Sequence, residues 1–309
     1  MDFLPLARRQ IIEFLWKRFK GQFDWALAIE EDLNDQTLGL TLDHLIFWEL
    51  PGPASQPSPT ETLFRILGFT KAGQLEQKGQ STDLIWMEEE GARESAAQEP
   101  LPQIVILQFK LREFTPATKT IISQLTRNHG RPSLALIEET VKRARGGDFT
   151  AVAHLVKLAT EFLTSRDHTL PTKAEFESLR KESEPLAWMM VFGREVYQFG
   201  IGAQHLHPFP DLDSFTRYLT SDLGIEFTQR TRQSIREAKS AGIAQSTTQA
   251  DPLVVELAGG KVTVANRSLE VVWRFPIAGQ PELLWPSYFR GFVATPIPLI
   301  SERHYRASA

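Results

Sequence analysis

Apolar positions recur at helical spacing over residues 5–33: Leu6, Ile11, Phe14, Leu15 and Phe19, then Trp25, Ala28 and Ile29. Gly21 and Asp24 interrupt the run and split it into two helices. The pattern then changes to a strand over residues 41–50, which Pro51-Gly52-Pro53 ends. A Pro/Ser-rich loop leads to Thr60, placed to cap a short helix over 61–67 that Gly68 closes. Strands are predicted over 74–77, 83–87 and 104–111, with an acidic, Ala-rich linker at 88–102.

Residues 115–185 carry helical spacing at 121–125, 134–141, 152–163 and 176–179. A second half starts at Leu186. A hairpin is expected there, 187–192 with 195–203 around Gly193-Arg194, followed by a helix over 212–219 and Gly224. Segments 225–229, 253–257, 261–264, 269–275 and 291–295 read as strands, and Gly259-Gly260 as a hairpin turn. The polar stretch 230–249 reads as a helix and a mobile loop. Both halves follow the order strand, helix, then strands, as two diverged copies of one module. The expected class is α+β: two βαβββ modules in a curved, partly open barrel, with an N-terminal helical segment (1–40), a first module (41–114), a helical insertion (115–185) and a second module (186–309) in one integrated domain.

Composition narrows the function classes. Hydrophobic residues at 42% with 23% charged residues allow a large core. A net charge of only −4 argues against a nucleic-acid or membrane surface. The absence of cysteine excludes disulfides, thiolate catalysis and cysteine-ligated zinc. No apolar run reaches the ~20 residues of a membrane span. The N-terminal stretch reads as an amphipathic helix, so a cytoplasmic location is expected.

Chemistry-bearing residues fall on three strands, where residues two apart share a face. One face carries His44, Ile46 and Trp48; another Gln198, Gly200 and Gly202; a third Ser268, Glu270, Val272 and Arg274. A curled sheet would bring these faces together. Each residue also has a plainer reading. Glu270 and Arg274 could form a salt bridge, Trp48 could be core, His44 and Gln198 could be satisfied strand residues. Glu88-Glu89-Glu90 could be a solvated charge run, and His205 and His207 a solvated loop.

The Asp43-His44 strand, its Gly/Pro loop and the short helix ending Leu67-Gly68-Phe69 resemble the first module of the 2-oxoadipate dioxygenase/decarboxylase (hydroxyglutarate synthase) family. Leu101-Pro102 with its strand, Val196-Tyr197-Gln198-Phe199, Leu269-Glu270 and Gly291-Phe292-Val293-Ala294 resemble later pieces in the same order. The likeness covers most of 41–112 and 184–302 and implies a vicinal-oxygen-chelate fold. It also implies an iron(II) centre held by His44, Gln198 and Glu270, open to O₂ and a 2-oxo acid. The chain departs from the family at two of its positions. Gln198 stands where the family has histidine, and Trp48 where it has a carboxylate-binding arginine.

These replacements suit an aromatic ligand, and the chain also resembles β-carboline synthases of the marinacarboline type, which are Pictet–Spengler enzymes. That likeness implies a cofactor-free condensation of an aromatic amino acid or amine with an aldehyde. Trp48 would stack the substrate, Arg274 would hold its carboxylate with Gln198 beside it, and Glu270 or Glu88 would move protons. This condensation is the leading expectation, the iron(II) oxygenase the alternative, and a catalytically inactive ligand-binding protein the third. A small-molecule aromatic substrate is the expected partner, with a homodimer as one arrangement of the chain.

Overall fold

A computed structural model describes residues 1–36, 38–51, 57–77, 80–96, 100–127, 133–228, 239–280 and 284–293. Helices α1 (Leu4–Lys20) and α2 (Asp24–Asp35) precede a first module of β1 (Leu42–Glu49), α3 (Pro59–Ile66), β2 (Phe69–Glu76), β3 (Thr82–Glu89) and β4 (Gln103–Phe109). Helices α4 (Pro116–Thr126), α5 (Ala135–Arg145), α6 (Thr150–Leu163), α7 (Lys173–Glu182) and α8 (Glu184–Phe192) follow. The second half contributes β5 (Gln198–Gly202), α9 (Leu212–Leu223), β6 (Ile243–Thr247), β7 (Pro252–Leu257), β8 (Gly260–Ala265) and β9 (Ser268–Arg274).

Seven strands form one sheet in the order β2-β3-β4-β1-β5-β9-β6. The two halves meet where β1 pairs antiparallel with β5. On each side of that seam the pattern repeats: β1 pairs parallel with β4 and β4 antiparallel with β3, while β5 pairs parallel with β9 and β9 antiparallel with β6. The repeat extends to the helix ends. Gly68 follows α3 and Gly224 caps α9, both at positive φ, a conformation that costs glycine little. After Gly68, β2 pairs with β3; after Gly224, its counterpart shrinks to a single bridge, Phe227 to Thr248. Edge strands β2 and β6 leave the sheet open among the described residues.

Alternation along β1 sends Leu45 and Phe47 into a core shared with α1, α2, α5, α6 and α9. Ile46 and Trp48 enter a second core, built with α4, α7, α8 and the β7–β8 hairpin. Each sheet face is thus covered, so β1, β4 and β5 are buried along almost their whole length at the centre of the sheet.

Several local expectations are corrected. Residues 187–192 are the end of α8, not a strand. Ser183 caps this helix by accepting from Leu186 N, Pro185 sits in its first turn, and it is buried on all sides, so its sequence shows no helical stripe. Gly193 (φ +70°) ends it, where a Cβ would lie 2.6 Å from Ser165 O. The cap of α3 is Ser58, not Thr60, with Pro59 in the first turn. Strand β2 begins at Phe69, five residues before the predicted start. The Gly259-Gly260 hairpin forms as expected but as a separate two-stranded sheet, β7–β8. Strand β6 arises inside the stretch read as helix and loop, of which residues 229–238 lie outside the described residues. Of the strand expected at 291–295, residues 291–293 are irregular and the remainder lies outside the described residues.

Candidate metal centre

Register across the sheet builds one row of side chains. His44 on β1 faces Gln103 on β4 and Gly200 on β5, and Gly200 faces Glu270 on β9. Gly200 lets the two ends of this row meet. A Cβ there would lie 2.4 Å from His44 Nδ1 and Cε1, so the imidazole lies directly over the β5 backbone. The ring thereby reaches Glu270: His44 Nε2 is 3.0 Å from Glu270 Oε2. The approach is too oblique for a hydrogen bond, and Nε2 is left fully buried with none.

The other ring nitrogen is fixed. His44 Nδ1 lies 2.8 Å from Asp43 Oδ1. Asp43 is gripped at two points by Arg274, Nε to Oδ2 at 2.6 Å and Nη2 to Oδ1 at 2.8 Å. The remaining guanidinium hydrogens reach Gln103 Oε1 (2.9 Å) and the carbonyls of Phe289 and Gly291 (3.0 Å each). All five donors of Arg274 are engaged. Gln103 Nε2 in turn donates to Glu88 Oε1 (3.1 Å) and Arg290 O (2.8 Å). On the far side, Gln245 on β6 donates to Glu270 Oε2 at 3.0 Å.

Burial opposes charge on both members of the Asp43–His44 pair. For Asp43 the charge of Arg274 and hydrogen bonds from His44 and Arg274 prevail and hold its carboxyl well below the usual carboxylate range. For His44, contacts with Asp43 and Glu270 outweigh burial and raise its pKa to about 9.

The structure gathers His44, Glu270, Arg274 and Glu88 into this one network. Gln198 lies two residues from Gly200 on the same face of β5, opposite Ile46 and Ser268, and is buried. Three expectations are corrected. Trp48 is core, not an open platform: it is 3% exposed, stacks on Phe109 (5.4 Å between centroids, 19°) and meets Tyr197 edge-on. Glu88 is buried and hydrogen-bonded, not part of a solvated charge run. The anticipated Glu270–Arg274 pair is not formed, because Arg274 lies four residues along β9 and turns to Asp43. His207 is exposed, whereas His205 packs edge-on against Tyr288 at 5.1 Å.

The sequence reading missed Asp43, Gln103, Gln245 and Phe292. A carboxylate inside an apolar strand needs a cation or a donor, so Asp43 was the detectable signal. The roles of Gln103, Gln245 and Phe292 depend on cross-strand register and on the return of the chain, which no local pattern carries.

No family model and no curated protein match the chain. Solved structures do. A glyoxalase superfamily protein from Ralstonia eutropha JMP134 superposes with TM-score 0.71 at 18% identity, over 85% of this chain and 81% of that one. The hydroxyglutarate synthase of Oryza sativa, in complex with 2-oxoadipate, gives 0.68 at 19% identity over 93% and 88%. That of Pseudomonas putida, also with 2-oxoadipate, gives 0.64 at 13% over 89% and 66%.

The fold is of the vicinal-oxygen-chelate type. In this chain the two halves meet at the seam between β1 and β5, and the His44–Gly200–Glu270 row crosses it. At these identities the likeness shows the fold alone, and it lends no support to a Pictet–Spengler condensation. Among the described residues no helix is long and apolar enough to cross a membrane.

The sequence resemblance implies iron(II) at this place. No group of three His, Cys, Asp or Glu side chains converges among the described residues. His44 and Glu270 are therefore a pair, to which Gln198 adds a neutral amide on the same face. The pair fits an ion in three respects. His44 Nε2 has no hydrogen bond; its Nδ1 is oriented by a carboxylate, the usual outer partner of a ligating histidine; and the 3.0 Å spacing suits two donors at right angles, each about 2.1 Å from one ion.

Proposed function

We propose that the chain is a metal-dependent enzyme of the 2-oxo-acid dioxygenase/decarboxylase type, with His44 as an imidazole ligand, Glu270 as an anionic one and Gln198 as a third, neutral donor. The observation that carries this reading is the pairing of His44 Nε2, which makes no aligned hydrogen bond, with Glu270 Oε2 at 3.0 Å. The solved hydroxyglutarate synthases support it at the level of fold.

Iron(II) bound there would supply an open coordination site for O₂ and a 2-oxo acid. The chain's own residues set the conditions. Asp43, locked by Arg274, keeps the Nδ1 side of the imidazole occupied and leaves Nε2 to the ion. The Nε2 proton must leave before an ion can bind, so uptake releases a proton. Gln245 holds one Glu270 oxygen and fixes the carboxylate's rotation. The apolar cover of Phe292 over His44 keeps bulk water from the pair.

Iron(II) and manganese(II) titrations under argon test the reading, comparing the chain with His44→Ala and Glu270→Ala. One equivalent bound by the parent and lost in both variants is the expected result. No binding by the folded parent would remove the metal-dependent reading.

A further inference from the structure

The chain returns over this site after β9. Phe289 N donates to Phe275 O (3.0 Å), Trp285 N to Ser95 O (3.0 Å), and Tyr288 bridges to Pro276. The Phe289 ring lies against Gly242 and Gly291, where a Cβ would stand 2.5 and 2.7 Å from it. This segment, Trp285 to Phe292, places three main-chain carbonyls on the site: those of Phe289 and Gly291 on Arg274 Nη1, and that of Arg290 on Gln103 Nε2. It also lays the Phe292 ring edge-on to His44 at 5.3 Å, 5.8 Å from Trp86, with the Arg274 guanidinium 5.0 Å away. His44 is 0% exposed and Glu270 9%.

We propose that the Trp285–Phe292 segment occupies the place of the organic ligand, and that this ligand is a 2-oxo acid bearing an aryl group. The proposal rests on the metal reading above. An imidazole with no exposed atom admits no ligand until its cover leaves. The cover is one 3₁₀ turn, Trp285–Ser287, and a short run held by a single bridge from Tyr288 to Pro276, which moves at lower cost than a fully paired strand. What it gives up must be replaced in kind, since Arg274 and Gln103 would otherwise keep buried donors without acceptors. One carboxylate satisfies the two Nη1 hydrogens that two carbonyls now share. A keto oxygen next to it meets Gln103 Nε2. An aryl ring takes the wall of Trp86 and the edge of His44 that Phe292 vacates. A second carboxylate would instead be set against that apolar wall.

Calorimetric titration of phenylpyruvate and of 2-oxoglutarate into the full chain, Phe292→Ala and Gly291→Ala tests this, with and without manganese(II). Gly291→Ala unseats Phe289 without opening a cavity, so it serves if Phe292→Ala does not fold. Phenylpyruvate is expected to bind the variants at least ~10-fold more tightly than the parent, the factor that a closed population above about 90% imposes. 2-Oxoglutarate gains no such factor. In the parent, saturating phenylpyruvate speeds hydrogen exchange of the Trp285–Phe292 amides. Equal phenylpyruvate affinity in all folded forms, or unchanged exchange in the parent, overturns the proposal. Manganese uptake by spin resonance on the same samples separates the two readings. Metal bound without the aryl-acid preference sinks this inference alone, and the preference without metal sinks the metal reading alone.

Discussion

Arg274 and Asp43, 231 residues apart in sequence, form a two-point ion pair that is sealed from solvent, with N–O distances of 2.6 and 2.8 Å. The pair joins β9 to β1 across β5 and sits directly behind the candidate metal ligand His44. Breaking it from one side leaves a buried carboxylate alone. Arg274→Met is expected to cost about 3–5 kcal/mol of stability in urea unfolding. Adding Asp43→Asn should recover part of that loss. A cost below about 1 kcal/mol in the single variant would show that the pair contributes little.

Gly200 has no room for a side chain beside the imidazole. Gly200→Ala pushes the ring from a position that Asp43 fixes through Nδ1 and that leaves Nε2 3.0 Å from Glu270. Overpacking of this kind costs about 1–3 kcal/mol. Manganese affinity should fall with it, since the His44–Glu270 spacing changes. An alanine variant with full affinity would mean that the row across β1, β5 and β9 does not set the ligand geometry.

Gln198→His tests the third donor. Imidazole is a better ligand for iron(II) than a neutral amide, so affinity is expected to rise by about tenfold or more. Unchanged affinity in anaerobic titration would place position 198 outside the coordination sphere.

Trp48 separates packing from chemistry. Trp48→Ala is expected to lose about 3–5 kcal/mol, because the indole fills the core between Phe109 and Tyr197. Trp48→Phe should lose much less, since the indole N–H makes no hydrogen bond. Metal affinity should be the same in both folded variants, and a loss of affinity would return Trp48 to the site.

Asp167 sets an acid limit away from the centre. Burial raises its pKa, but His168 and the Arg194 charge outweigh this and lower it to about 2. A depressed carboxyl stabilises the fold above its unfolded pKa of roughly 4 and loses that contribution as pH falls toward 2. The side chain is 36% exposed, so solvent screening leaves about 1 kcal/mol. Asp167→Asn should lower stability at pH 7 by that amount and flatten its decline between pH 4 and 2, as followed by thermal unfolding.

The periodicity of the chain was enough to place α1, α2, α3, β1, β3, β4, α9, β5 and β9, because each carries a face pattern or a breaker at its ends. It was enough to put His44, Gln198 and Glu270 on strand faces, and Gly259-Gly260 in a hairpin. It misplaced α8 because a helix buried on every side has no polar stripe to distinguish it from a strand. Only the tertiary structure decided what those faces meet. Cross-strand register brought His44, Gly200 and Glu270 into one row, although these residues lie far apart along the chain and no local pattern links them. The partner of Arg274 was decided by the same register, which offered Asp43 two acceptor oxygens in a place closed to water. The place of Trp48 was decided by α4, α7 and α8, which cover its end of the sheet and leave the other end to His44 and Glu270.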